Sequence, residues 1–79
     1  MDIQVMYFGM LQELTGQYKE TWILDREMTV GTFRVMLEEK YPSLGGKKFK
    51  IAVNKEIVTD EVIVHASSEL ALLPPFAGG

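Results

Sequence analysis

The run Leu70-Ala71-Leu72-Leu73 is apolar throughout and passes directly into Pro74-Pro75. A strand with no polar face suits the middle of a sheet, where both of its faces are covered. The prolines then halt the ladder, because each lacks an N–H and holds φ fixed. The rest of the chain must therefore flank this strand and cover it. Beyond the prolines stand Phe76, Ala77, Gly78 and Gly79. Glycine removes side-chain bulk and allows nearly any φ/ψ. A terminal carboxylate on Gly78-Gly79 is thus thin and easily threaded into a narrow partner site, and Ala77 keeps the approach slim.

With 79 residues, 47% of them hydrophobic, the chain reads as one small domain over 1–79 with a flexible tail at 74–79. Its formal net charge of −3 and single basic cluster, Lys47-Lys48 with Lys50, argue against nucleic acid as a partner. Cysteine is absent, so there is no disulfide, no thiolate nucleophile and no Cys metal site. His65, the lone histidine, has no second ligand near it in sequence, so no metal site is expected. The start Met1-Asp2-Ile3-Gln4 does not look like a signal peptide, and no stretch approaches a membrane span. A cytoplasmic protein with no membrane partner is the expectation.

Ile3, Val5 and Tyr7 alternate with Gln4, Met6 and Phe8, which predicts a first strand. Met6 and Phe8 are apolar on the face where polar residues are expected, so that face is either covered or meets a partner. Gly9 breaks the strand. A short helix is predicted over 10–15, with Leu11 and Leu14 inward and Gly16 as its C-terminal cap. A second strand spans 18–24, with Tyr18, Glu20, Trp22 and Leu24 on one side and Trp22 as a core residue. Residues 25–28 form a polar connection. Thr29 caps a helix whose Val30, Phe33, Met36, Leu37 and Tyr41 make one core-facing stripe. Pro42 ends it. A loop follows over 43–48; its Gly45-Gly46 pair lacks the Lys-Ser/Thr of a phosphate cradle. A third strand is expected over 49–53, a tight turn at Asn54-Lys55 and a fourth strand over 56–58. Val62 and Val64 mark a brief extended piece packed on the core, and 65–69 is a loop before the last strand.

A hairpin, one crossover helix and further strands let the last strand lie parallel beside the first. This is an α+β, β-grasp (ubiquitin-like) arrangement: a mixed sheet of about five strands under one main helix. Other small α+β folds fit the spacing as well.

The ending Leu72-Leu73-Pro74-Pro75-Phe76-Ala77-Gly78-Gly79 resembles that of the MoaD/ThiS family of ubiquitin-like sulfur carriers, and within it the molybdopterin synthase branch. Ile3-Gln4-Val5-Met6-Tyr7-Phe8-Gly9, Leu11-Gln12-Glu13-Leu14-Thr15-Gly16 and Ala52-Val53-Asn54 are similar to that family in order and spacing. The chain departs from it at Gln12, where the family often has a basic residue, and at Ala66-Ser67-Ser68-Glu69, where the family turn is Asp-Gly-rich.

The resemblance implies that an adenylating enzyme of the ubiquitin-activating type activates Gly79 with ATP. Sulfur then replaces the adenylate, and the resulting thiocarboxylate enters the large subunit of molybdopterin synthase and donates sulfur to a cyclic pyranopterin phosphate. This chain would bind no cofactor, and ATP would be the activating partner's. The chain would be no enzyme alone, and its sequence shows no Ser/His/acid or paired-carboxylate set. A thiamine-pathway sulfur carrier and a ubiquitin-like modifier also end in Gly-Gly and remain alternatives. If the first and last strands are neighbours, Phe8, Leu73, Pro74, Pro75 and Phe76 form a partner-binding patch with Met6 beside the tail. The other assignment puts Phe8 and Leu73 in the core.

Overall fold

A computed structural model describes residues 1–75. The apolar run forms strand β7 (Glu69–Leu73), the central strand of a five-stranded sheet. On one side it pairs in parallel with β1 (Asp2–Tyr7), in the register Val5↔Leu70 and Tyr7↔Leu72. On the other it pairs antiparallel with β4 (Lys50–Val53), Ile51 opposite Leu72. Strands β2 (Lys19–Ile23) and β5 (Glu56–Ile57) form the two edges, antiparallel to β1 and β4 respectively. Among the described residues this is the mixed β-grasp sheet expected from the sequence.

The strand alternation decides what faces the core. Ile3, Val5, Tyr7, Ile51, Leu70 and Leu72 point to one face and are fully buried. They pack with Val30, Phe33 and Leu37 of helix α2 (Val30–Lys40). Trp22 crosses Phe33 edge to face, with ring centroids 4.9 Å apart, so the one tryptophan is a core residue. The stripe on α2 is wider than its buried part, since Met36 and Tyr41 are half-buried at the margin of the core.

Local signals operate as their chemistry requires. Thr29 Oγ1 accepts from the Thr32 N–H at 3.1 Å and caps α2. Helix α1 (Met10–Thr15) ends at Gly16, φ +70°, whose N–H donates to Gln12 O at 2.8 Å. Asn54 and Lys55, at φ 50° and 75°, make the two-residue turn between β4 and β5.

Four expectations need correction. Tyr18 is exposed: it precedes the last residue pair of an edge strand (Met6↔Lys19), beyond the cover of α2. Phe49 is buried but lies outside β4, its side chain packed under the Arg34 guanidinium at 4.8 Å. The stretch 43–48 is not all loop: Pro42–Leu44 is one 3₁₀ turn that buries Leu44 against α2 and α1. Of the Val62/Val64 pair only Val64 is in the core. It belongs to β6 (Ile63–Val64), which pairs with β3 (Met28–Thr29), a strand unforeseen in the sequence. Val62 O instead accepts from the Val30 N–H at 2.8 Å, helping to close the start of α2.

Candidate functional site

The face of the sheet away from α2 is apolar too. Met6 on β1, Ala71 on β7, Ala52 on β4 and Ile57 on β5 stand in one row across four strands. The next row toward the chain's end holds Phe8, Leu73 and Lys50. Leu73 is opposite Lys50, and the Phe8 N–H extends the parallel ladder by donating to Leu72 O at 3.1 Å. Phe8 is 40% exposed, Ile57 is exposed, and Met6, Ala71 and Leu73 are half-buried. Phe8 and Leu73 are therefore surface residues on one face, outside the core cluster. No helix covers this face, and no pocket is enclosed among the described residues. What the described residues present on this side is an open apolar surface. Pro74 is half-buried and Pro75 exposed. Phe76, Ala77, Gly78 and Gly79 lie outside the described residues.

Gly9 packs closely against Pro74 where the chain leaves β7. Its backbone has φ +58° and ψ −135°, a region open in practice to glycine. A β-carbon there would stand 3.1 Å from Pro74 Cγ. The turn after β1 is thus pressed against the first tail proline, and a side chain at residue 9 would push them apart. The Phe8 and Gly9 carbonyls also accept from Leu11 and Gln12 at 3.1 Å, so this turn starts α1 as well.

Behind this end of the sheet, Glu20 gathers donors from three segments. Its carboxylate accepts from Tyr7 Oη at 2.7 Å, Trp22 Nε1 at 2.9 Å, Tyr41 Oη at 2.8 Å and Lys40 Nζ at 2.6 Å. Burial alone would raise its pKa, but the donors from Lys40, Tyr7 and Tyr41 outweigh it and hold the carboxyl below its ordinary value. Burial and the same carboxylate push the Tyr7 hydroxyl up. The hydrogen bond to Glu20 raises Lys40. The network ties β1, β2 and the end of α2 together beneath Phe8. In the sequence Glu20 shares one side of its strand with Tyr18, Trp22 and Leu24, and nothing local names its partners. The available signal was a lone carboxylate at an otherwise apolar inward position, since a buried charge requires partners.

The two departures from the family pattern lie on helix α1 and in the approach to β7, where Ser68 is buried. Gln12 is exposed on α1. In the turn before β7, Ser67 takes φ +65°, and its N–H donates to Asp2 O at 2.9 Å. Serine here adopts the left-handed conformation for which glycine is favoured. Among the described residues no three His, Asp or Glu side chains gather as metal ligands. His65 Nδ1 lies 2.6 Å from Glu27 Oε2 on the surface. No helix of the described residues is long and apolar enough to cross a membrane.

Comparison with known proteins agrees with the fold. Residues 5–79 match the model of the ThiS family. The chain is 35% identical to the molybdopterin synthase sulfur carrier subunit of Arabidopsis thaliana, over 99% of this chain and 83% of that one. It superposes on the crystal structure of small archaeal modifier protein 1 of Haloferax volcanii with a TM-score of 0.80 and 25% identity, covering 95% of this chain and 98% of that one. It also superposes on a protein–protein complex of subunits 1 and 2 of the molybdopterin-converting factor of Helicobacter pylori, with a TM-score of 0.68 and 23% identity. There the whole of each chain is covered. The match of residues 5–79 to the family model and the 35% identity over nearly the whole chain, on a β-grasp sheet, make this chain a member of the ThiS family, the MoaD/ThiS group of ubiquitin-like sulfur carriers.

Proposed function

We propose that this chain is the sulfur-carrier subunit of a molybdopterin synthase. A carboxylate is a poor electrophile, so Gly79 is first activated. A ubiquitin-activating-type enzyme transfers AMP from ATP to the Gly79 carboxylate and releases pyrophosphate. A sulfide-level donor then displaces AMP and leaves a thiocarboxylate. Gly78 and Ala77 let that group pass through a narrow channel into the large synthase subunit, where sulfur goes to a cyclic pyranopterin phosphate. Catalytic side chains, ATP and substrate are held by the partners, and this chain carries the sulfur without a bound cofactor of its own. Phe8, Leu73, Pro74, Pro75 and Phe76 dock it.

The observation that supports this reading most is the open apolar row of Phe8 and Leu73 at the end of the sheet from which Pro74 leads away. Apolar patches on a small chain mark protein interfaces. The similarity to the carrier subunit of Arabidopsis and to the Helicobacter complex of subunits 1 and 2 supports the acceptor and the partner. The test is intact mass after incubation with the activating enzyme, ATP and a sulfur source. Exchange of oxygen for sulfur adds about 16 Da at the C-terminus (atomic masses). Deleting Gly79 or making Gly78→Val is expected to abolish the gain with little change in melting temperature. Sulfur transfer by the deletion variant would overturn the reading. A second reading, a protein modifier, is favoured by the likeness to small archaeal modifier protein 1. It expects ladders of larger conjugates in the same experiment.

A further inference from the structure

The charges on the open face are sorted by sign along the strands. Lys19 is opposite Met6 on β2 and Lys50 is opposite Leu73 on β4, so both cations stand at the tail end. Asp2, opposite Ile23, and Glu69, opposite Gln4, stand at the other end. Both lysines are exposed. The ion pairs of the described residues engage Arg26, Arg34, Lys40 and His65. Lys19 and Lys50 therefore have no carboxylate partner among them. Two strands, β1 and β7, separate the strands that carry them, so about 14 Å lies between the two lysines across the sheet. The apolar row and the tail exit lie between them.

From this arrangement we infer that the tail-accepting partner carries carboxylate side chains on both sides of the mouth of its groove, which Lys19 and Lys50 meet. The inference rests on the docking face proposed above and names the chemistry of the surface that fits it. Apolar contact alone would allow the face to slide or turn. Lys19 and Lys50 at one end, and Asp2 and Glu69 outnumbering Lys55 at the other, give it an orientation, and opposite charge steers encounter. An acidic mouth is compatible with an anionic tail tip. Residues 76–79 reach up to about 14 Å when extended, beyond the screening length of about 8 Å at physiological salt. The mouth and the reaction site can therefore differ in charge.

The test measures association and dissociation rates with the large synthase subunit of the same organism at low and high salt. The variants are Lys19→Glu, Lys50→Glu and their combination. Lys55→Glu, in the β4–β5 turn at the opposite end, makes the same change in net charge as either single variant and serves as their control. The double variant is expected to bind at least tenfold more weakly, chiefly through a slower on-rate, with the gap shrinking at high salt. Lys55→Glu should stay within about twofold. Thermal melts confirm that these surface changes leave the fold intact. If the double variant binds within twofold of wild type while Phe8→Ala weakens binding, the acidic mouth is overturned and the docking face stands. If neither change affects binding, the docking face fails and the acidic mouth fails with it.

Discussion

The two faces of β1 and β7 are built from nearly the same material and do different things. Val5, Tyr7, Leu70 and Leu72 lie on one face, Met6, Phe8, Ala71 and Leu73 on the other. The first set is fully buried under α2, and the second is half-buried or exposed. Hydrophobic side chains therefore do not by themselves say where the core is. One amphipathic helix covers one face, and no helix among the described residues covers the second. Apolar residues retained on the uncovered face add little to folding, and a partner is what would bury them.

Adjacent leucines give the strongest way to break this comparison. Leu72→Ala should lower stability by about 2–5 kcal/mol, because it opens a cavity in a closed core. Leu73→Ala should lower it by less than about 1.5 kcal/mol, since the site is already part-solvated. The order should reverse for affinity, where Leu73→Ala is expected to cost about 1–3 kcal/mol. Denaturant titration and calorimetric binding of the large subunit read the two quantities. Equal stability losses at both positions would show that the outer face is core after all.

Glu20 sharpens the comparison on the inner side. Glu20→Ala strips the acceptor from Tyr7, Trp22 and Tyr41, and about 1–3 kcal/mol of stability should go with it. The pH dependence has a fixed sign. Glu20 is depressed in the fold below its ordinary 4.5, so its contribution is present above that value and is lost as pH falls through the folded pKa. Tyr7 is raised from its ordinary 10.0, so its contribution is full below pH 10.0 and fades as pH rises beyond it. Melts of the wild type should show both limbs, and Glu20→Ala should remove its own acid limb and only reduce the alkaline one, since burial is the larger cause of the Tyr7 shift. A variant with unaltered limbs would remove Glu20 from the account.

The smallest expected effect separates backbone strain from tail placement. Gly9→Ala and Gly16→Ala both impose a positive φ on alanine, and Gly16 has open space where its β-carbon would go. Gly16→Ala should cost about 1–2 kcal/mol and leave sulfur delivery unchanged. Gly9→Ala should cost about 1–3 kcal/mol and also slow delivery, because its β-carbon meets Pro74. Adding Pro74→Ala should restore part of the rate. Equal behaviour of the two glycine variants in single-turnover transfer would assign Gly9 to strain alone.

Local sequence was enough for the main periodic elements and their caps, although the alternation overran at Tyr18, Phe49 and Val62. The period of two marked β1 and β7, and the three- and four-residue steps marked α2. Thr29, Gly16 and Asn54-Lys55 ended or turned their elements through chemistry confined to a few neighbouring residues. The apolar run into two prolines placed β7 in the centre of the sheet, while Phe8 stood beside it only if the first and last strands were neighbours, which the parallel pairing of β1 and β7 supplies. Tertiary structure alone decided what depends on distant partners. Strands β3 and β6, two residues each, are too short to carry a period and exist by pairing with one another. The donors to Glu20 come from Tyr7 and Trp22 on the sheet and from Lys40 and Tyr41 at the end of α2. Lys19, Phe8, Leu73 and Lys50 share one end of a face because of pairing register across four strands, which no single segment encodes. A period describes one element against an assumed core, whereas register and buried polar partners are set when separate elements close on each other.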